Sequence, residues 1–170
     1  MCSAASNDRL FREELNILYD SKCNVCKLEI DFLRRRDQRL NGSGSRLKFT
    51  DLESNDYDDQ DPANGRIDYE TGMQAMHGIT PDGKVVIGVP VFQLAYQQVG
   101  LGWLLAVTEV PGLKWIFDRG YDIFAAYRTR VTRGQTVPAL VEAYREKQQL
   151  LKEQSECETC NEKASTKTVS

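Results

Sequence analysis

The chain is poor in the residues that would point to several large functional classes. It holds a single histidine, His77, in 170 residues. With no second histidine at ligand spacing, His77 reads as a structural or surface residue of a strand. Basic residues do not exceed acidic ones: 22 Lys and Arg stand against 25 Asp and Glu, for a net charge of −3. A domain that grips nucleic acid is ordinarily strongly basic, so no nucleic-acid partner is expected. Five cysteines are too few for a secreted disulfide scaffold, and the number is odd. The compartment is therefore read as intracellular and reducing, with the cytoplasm preferred and a plastid or mitochondrion left open. Residues 1–14 contain no apolar leader, and Asp8, Glu13 and Glu14 do not suit a transit peptide.

One uncharged stretch, from Val85 to Thr108, is long enough to cross a bilayer. Gly88 and Pro90 cut it near the start, and Gln93, Gln97 and Gln98 interrupt the rest. It reads as a strand followed by a helix, and no membrane span is expected.

What remains is an ordinary globular composition, 41% hydrophobic and 28% charged, in a length that can bury a core without disulfide staples. Leu15 to Tyr19 is a short apolar run and reads as a strand. Cys23 to Arg39 has helical spacing. Cys26, Ile30 and Leu33 form its apolar stripe, and Val25, Leu28 and Phe32 are expected to widen it. Arg34, Arg35, Arg36 and Arg39 fall in the last turns, where cations suit the helix dipole. Asn41 to Ser45 is a flexible loop, and Arg46 to Asp51 alternates as a second strand. Asp51 to Asp61 carries six acids and no base, and is expected to be a solvated loop rather than an acidic binding patch.

Further on, Ile67 to Met73 fits a short helix. Met76 to Thr80 and Val85 to Val89 flank Pro81-Asp82-Gly83 as an antiparallel hairpin. Pro90 opens a helix to about Val99, with Phe92, Ala95, Tyr96 and Val99 on one face. A cis Pro90 facing the cysteines is the other reading, and a first-turn helix proline is the simpler one. Helices are expected over Leu113 to Arg130 and, with Thr136 as its cap, Val137 to Gln154. The order implies an α/β fold: a thioredoxin-like mixed sheet with flanking helices and extra C-terminal helices. The expected divisions are a redox domain over 12–134, a C-terminal helix over 135–154, and a mobile tail over 155–170 that carries Cys157 and Cys160.

The chemistry is concentrated in Cys23-Asn24-Val25-Cys26, between the first strand and the first helix. Residues three apart at a helix start are neighbours and can meet disulfide geometry. Cys23 lies at the positive end of the dipole, with Lys22 and Lys27 nearby, so its thiolate is favoured. Cys23 is expected to be exposed and to act as nucleophile, with Cys26 shielded one turn deeper as the resolving thiol. Asp20 has two readings: a cap of the turn or first helical turn, which is preferred, or a proton acceptor for the resolving thiol. Its charge would oppose the dipole at the thiol, so the sign of the net shift stays open.

Tyr19-Asp20-Ser21-Lys22-Cys23-Asn24-Val25-Cys26 resembles the DCC family of thiol–disulfide oxidoreductases, named for the Asp-x-x-Cys-x-x-Cys pattern that Asp20, Cys23 and Cys26 match. Met76-His77, Asp82-Gly83 and Gly88 resemble its hairpin. Tyr127, Arg128 and Arg130 loosely resemble its closing helix. The resemblance covers roughly residues 15 to 134. It implies a thioredoxin-like fold and disulfide exchange with a disulfide-containing protein or small thiol, with no cofactor. The pair Cys157 and Cys160 is a departure from it. Two other functions fit the residues. One is a zinc site using both Cys-x-x-Cys pairs, although 130 residues separate Cys26 from Cys157. The other is a non-catalytic binding module that kept the fold.

Overall fold

A computed structural model describes residues 9–105 and 112–165, with the backbone alone beyond Gln154. The chain forms two compact units, divided after Gly134. The first contains a four-stranded mixed sheet of β1 (Leu15–Tyr19), β2 (Leu47–Asp51), β3 (His77–Ile79) and β4 (Val85–Ile87). The strand order is β2-β1-β3-β4. β1 runs parallel to β2, with Ile17 opposite Phe49, and antiparallel to β3. β3 and β4 form the hairpin expected around Pro81-Asp82-Gly83. This arrangement is a mixed α/β fold consistent with the thioredoxin-like class.

β1 is central, so its residues 15–18 are all buried. Leu15 and Ile17 join Ile30, Leu33, Leu47, Met76, Val91, Ala95 and Val99 in one core. Asn16, between Leu15 and Ile17 in sequence, faces the other side of the sheet with its amide satisfied. It donates to the Ala63 carbonyl and to Asn64 Oδ1, and accepts from Thr50 Oγ1, as a buried amide must. Gly78 stands where α3 (Val89–Gln98) crosses the sheet. A Cβ there would lie 3.1 Å from both Leu15 Cδ1 and Val91 Cγ1, so a larger residue would require these side chains to shift.

α1 (Asn24–Asn41) links the two parallel strands. It buries Cys26, Ile30, Leu33 and Asp37, so the expected stripe holds along one narrow line. The widening does not. Val25, Leu28 and Phe32 are 47%, 73% and 43% exposed, because the sheet and α3 cover only one side of the helix. Asp37 explains how the flexible loop ends in register. Its carboxylate accepts from Asn41 Nδ2 at 2.7 Å, from Ser45 Oγ, and from the backbone N–H groups of Arg46 and Leu47 at 3.2 Å.

The remaining helices are α2 (Tyr69–Gln74), α4 (Gly102–Leu105), α5 (Leu113–Arg133) and α6 (Val137–Ser165), with a 3-10 turn at Pro62–Asn64. The turn and α4 are too short to leave a periodic pattern, and were not expected. Pro90 sits in the first turn of α3, and none of the described peptide bonds is cis. No described helix is long and apolar enough to cross a membrane. α6 makes up most of the second unit and continues past Gln154, so the backbone of Cys157 and Cys160 is helical.

Replacing Asp37 by Ala is expected to cost about 3 kcal/mol in urea unfolding, because buried N–H groups lose a charged acceptor. Asp37→Asn should recover part of that loss. An alanine variant that unfolds at the wild-type urea concentration would mean that other contacts hold the loop.

Candidate active site

The site lies where the C-terminal ends of β1 and β2 meet the start of α1, the edge at which open α/β sheets commonly place their chemistry. Cys23 is the N-cap of α1, with extended backbone (φ −83°, ψ 108°). Its Sγ accepts the Cys26 N–H at 3.3 Å, in place of the oxygen that usually satisfies this donor. The first turn of α1 contains no acid, so no carboxylate competes for its positive end. Both cysteines are free thiols.

The two sulfurs are driven apart. The Cys23 thiol is lowered to about 6. The hydrogen bond with the Cys26 thiol is the main cause, and burial opposes it. The Cys26 N–H, the Thr132 hydroxyl and the Arg128 charge add to the lowering. The Cys26 thiol is pushed far up, first by that same bond to Cys23 and then by burial, with Arg128 opposing. For Cys23 the net direction is downward, and its first cause is the hydrogen bond with the Cys26 thiol rather than the helix dipole.

Exposure is where the expectation fails. Cys23 is 1% exposed and Cys26 3%. Cys23 turns its sulfur inward as the helix cap, and Thr132 and Arg128 of α5 come against it. Cys26 instead borders an open, largely apolar groove of about 300 Å³, shared with Val25, Glu29, Met76, Tyr96 and Phe124.

Asp20 caps the turn before the helix rather than the helix itself. Its Oδ1 accepts the Lys22 N–H at 2.9 Å, and its backbone carbonyl accepts the Cys23 N–H at 3.1 Å. It is buried, and Arg133 Nη1 donates to it at 3.2 Å. The same Arg133 nitrogen donates to Glu53 Oε1 at 2.7 Å. Glu53 also accepts from Tyr69 Oη at 2.6 Å and pairs with Lys22 Nζ at 2.7 Å. Burial pushes the Glu53 carboxyl up, but Lys22, Tyr69 and Arg133 prevail and hold it at about 2. The acidic stretch expected to be wholly solvated thus supplies a buried anchor, Glu53, 8% exposed.

Arg128 was visible only as part of a loose resemblance. It is 4% exposed. Its Nη1 lies 3.4 Å from Cys26 Sγ, and its Nη2 donates to the Met73 carbonyl at 2.9 Å. His77 is buried on β3 with Nδ1 3.0 Å from the Ala75 carbonyl, and burial keeps its ring below the usual histidine range. Of the two readings the sequence offers, burial removes the surface one. Among the described residues, no group of three or more His, Cys, Asp or Glu is placed to hold a metal. The side chains of Cys157 and Cys160, which the zinc reading requires, lie outside the described residues.

A family model described as DCC1-like thiol-disulfide oxidoreductase matches residues 17–134. The chain belongs to the DCC1-like thiol-disulfide oxidoreductase family. The matched span runs from β1 to the end of α5, so it includes Asp20, both motif cysteines, Arg128 and Arg133. Membership supports a thiol–disulfide oxidoreductase role for the close pair Cys23 and Cys26. An uncharacterized chloroplastic protein of Arabidopsis thaliana is 35% identical over 154 residues, which cover 91% of this chain and 65% of that protein. The chain thus spans about two thirds of the length of this curated relative. No solved structure matches.

Arg133→Met is expected to lower stability by about 3–5 kcal/mol, because it leaves the buried Asp20 carboxylate without its cation. The pH dependence follows the carboxylates. Glu53 is lowered in the fold, so its stabilisation is complete above its unfolded value of about 4.3 and fades as pH falls through about 2. In the variant the folded value rises, so this stabilisation should be smaller and its loss complete at a higher pH. An unchanged acid-unfolding midpoint would show that Lys22 and Tyr69 hold Glu53 without Arg133.

Proposed function

We propose that the protein exchanges disulfides with a protein or small-thiol partner, using Cys23 as nucleophile and Cys26 as resolving thiol. The observation that carries this reading is the position of Cys23 Sγ at the N-cap of α1, accepting the Cys26 N–H. A sulfur there is ionised at neutral pH, and the thiolate is the attacking species.

The reaction proceeds in two displacements. The Cys23 thiolate attacks one sulfur of the partner disulfide, forms a mixed disulfide, and expels the other sulfur as a thiolate. Cys26 then attacks the Cys23 sulfur and expels the second partner sulfur, leaving a Cys23–Cys26 disulfide. The first step prepares the second. While Cys23 is an anion it holds the Cys26 proton in place. Once Cys23 is bonded to the partner that charge is gone. Arg128 Nη1, 3.4 Å from Cys26 Sγ, then favours the Cys26 thiolate, and its proton goes to solvent or to the expelled thiolate. Asp20, tied to the Lys22 N–H and to Arg133, acts by holding the turn that presents Cys23 rather than by carrying this proton.

Burial of Cys23 adds a condition: the partner reaches its sulfur only when the last turn of α5 yields around Thr132. The apolar groove beside Cys26 gives a partner side chain a seat next to the reacting pair. We assign the redox unit to residues 12–134 and leave residues 135–154 and the segment from 155 outside it. A reducing compartment suits a working dithiol, and the chloroplastic relative supports a plastid over the cytoplasm.

Exposing single variants to a cell extract tests the assignment. Cys26→Ser is expected to stall as a reducible mixed disulfide on Cys23, and Cys23→Ser to form none and to lose disulfide reduction. Adducts through Cys26 on the Cys23→Ser variant, with none on Cys26→Ser, would reverse the two roles. Wild-type turnover by both variants would remove the pair from the chemistry.

A further inference from the structure

Of the charged side chains buried around the motif, Asp20, Glu53 and Arg128, one has no opposite charge; Glu29, half-buried beside Cys26, has its carboxyl pushed up by burial. Asp20 and Glu53 are matched by Arg133 and Lys22. Arg128 is 4% exposed, yet forms no ion pair with a carboxylate among the described residues. Its Nη2 is met by the Met73 carbonyl and its Nη1 by Cys26 Sγ, while its Nε has no partner. The other titratable side chains that feel its charge, buried His77 and half-buried Tyr121, are neutral at neutral pH. A buried cation without a counter-ion is costly.

The missing anion is present in only one redox state. We infer that Arg128 is a further catalytic residue whose uncompensated charge sets the redox poise of the Cys23–Cys26 pair, stabilising the reduced form and making the disulfide form oxidising. This rests on the exchange reading above. In the reduced protein the negative charge of the pair lies on Cys23, hydrogen-bonded with the Cys26 thiol whose sulfur Arg128 Nη1 touches at 3.4 Å, and so within the field of Arg128. In the oxidised protein the disulfide is neutral, and Arg128 is left buried without an anion. Reduction by glutathione shows the balance. The protein disulfide and two glutathione thiols give the Cys23 thiolate, the Cys26 thiol, one glutathione disulfide and one released proton. Two electrons enter the pair, and the charge created lies in the field of Arg128. The cation therefore pulls this equilibrium toward the reduced protein.

The experiment is a glutathione redox titration of the full chain as wild type, Arg128→Gln and Arg128→Lys, with the Cys23 thiol titrated in each. Gln is expected to reduce the equilibrium constant for reduction about tenfold, which is about 30 mV for a two-electron couple. It should also raise the Cys23 thiol by about one unit, the same interaction seen through the proton. Lys keeps the charge and should stay nearer to wild type in both. A Gln variant with the wild-type equilibrium constant, or Gln and Lys variants shifted equally, would overturn the inference. A wild-type pair that forms no reversible disulfide would instead overturn the exchange reading itself. If Gln does not fold, wild type alone decides: the reduced form should unfold at a denaturant concentration at least as high as the oxidised form. An oxidised form that is the more stable, as a disulfide ordinarily makes it, would contradict the inference.

Discussion

The guanidinium of Arg133 lies between two buried carboxylates, Asp20 just beyond β1 and Glu53 just beyond β2. These strands are parallel neighbours, so their ends bring two negative charges together at one edge of the sheet. Without a cation between them the two charges would repel in a dry setting, and leaving a buried carboxylate without its cation is costly. Arg133 is the last residue of α5. Satisfying the carboxylates therefore fixes where that helix ends, and with it where Thr132 and Arg128 stand relative to the cysteines. The geometry of the thiols depends on an interaction that does not touch them.

From that clamp the asymmetry of the pair follows. Asp20, held by Arg133, closes the turn that sets the Cys23 N–H on the Asp20 carbonyl. Cys23 is left as N-cap, its sulfur facing the open N–H groups of α1. Cys26, three residues on, has its sulfur 3.4 Å from Arg128 Nη1 and borders the apolar groove. The hydrogen bond between the two thiols, with the deeper burial of Cys26, then gives two chemically equal side chains opposite tendencies to ionise. Glu53 adds a second constraint through Tyr69 and Lys22, which link α2 and the motif loop to the same carboxylate.

Much of this was legible in the residues. The strand–motif–helix–strand order, the hairpin at Pro81-Asp82-Gly83 and the first-turn role of Pro90 depend on local pattern and turn chemistry, and these are read directly. Cys23 and Cys26 were legible because their spacing and their place at a helix start carry the chemistry. Glu53, Arg128 and Arg133 were not. Each sits in a run of similar charges, and only tertiary contact separates the buried member from its solvated neighbours. A polar residue on the inward face of α5 was the one available sign for Arg128, in line with Ala125 and Thr132 at helical spacing. The exposure of Cys23 was misjudged for the same reason: a helix N-terminus is open in isolation, and here the end of another helix comes against it. Val25, Leu28 and Phe32 show the converse, since helical spacing marks an apolar face without saying whether anything covers it.

The central claim is that Cys23 is the ionised, attacking sulfur of the pair. Its most direct measurement is the rate of alkylation of each cysteine of the reduced protein as a function of pH, assigned by peptide mass spectrometry. The account requires Cys23 to be labelled first, its rate rising with pH to half its plateau near pH 6, while Cys26 stays unlabelled until far higher pH. Labelling of Cys26 ahead of Cys23, or equal labelling of both with a midpoint of about 8.5 as for ordinary thiols, would contradict it.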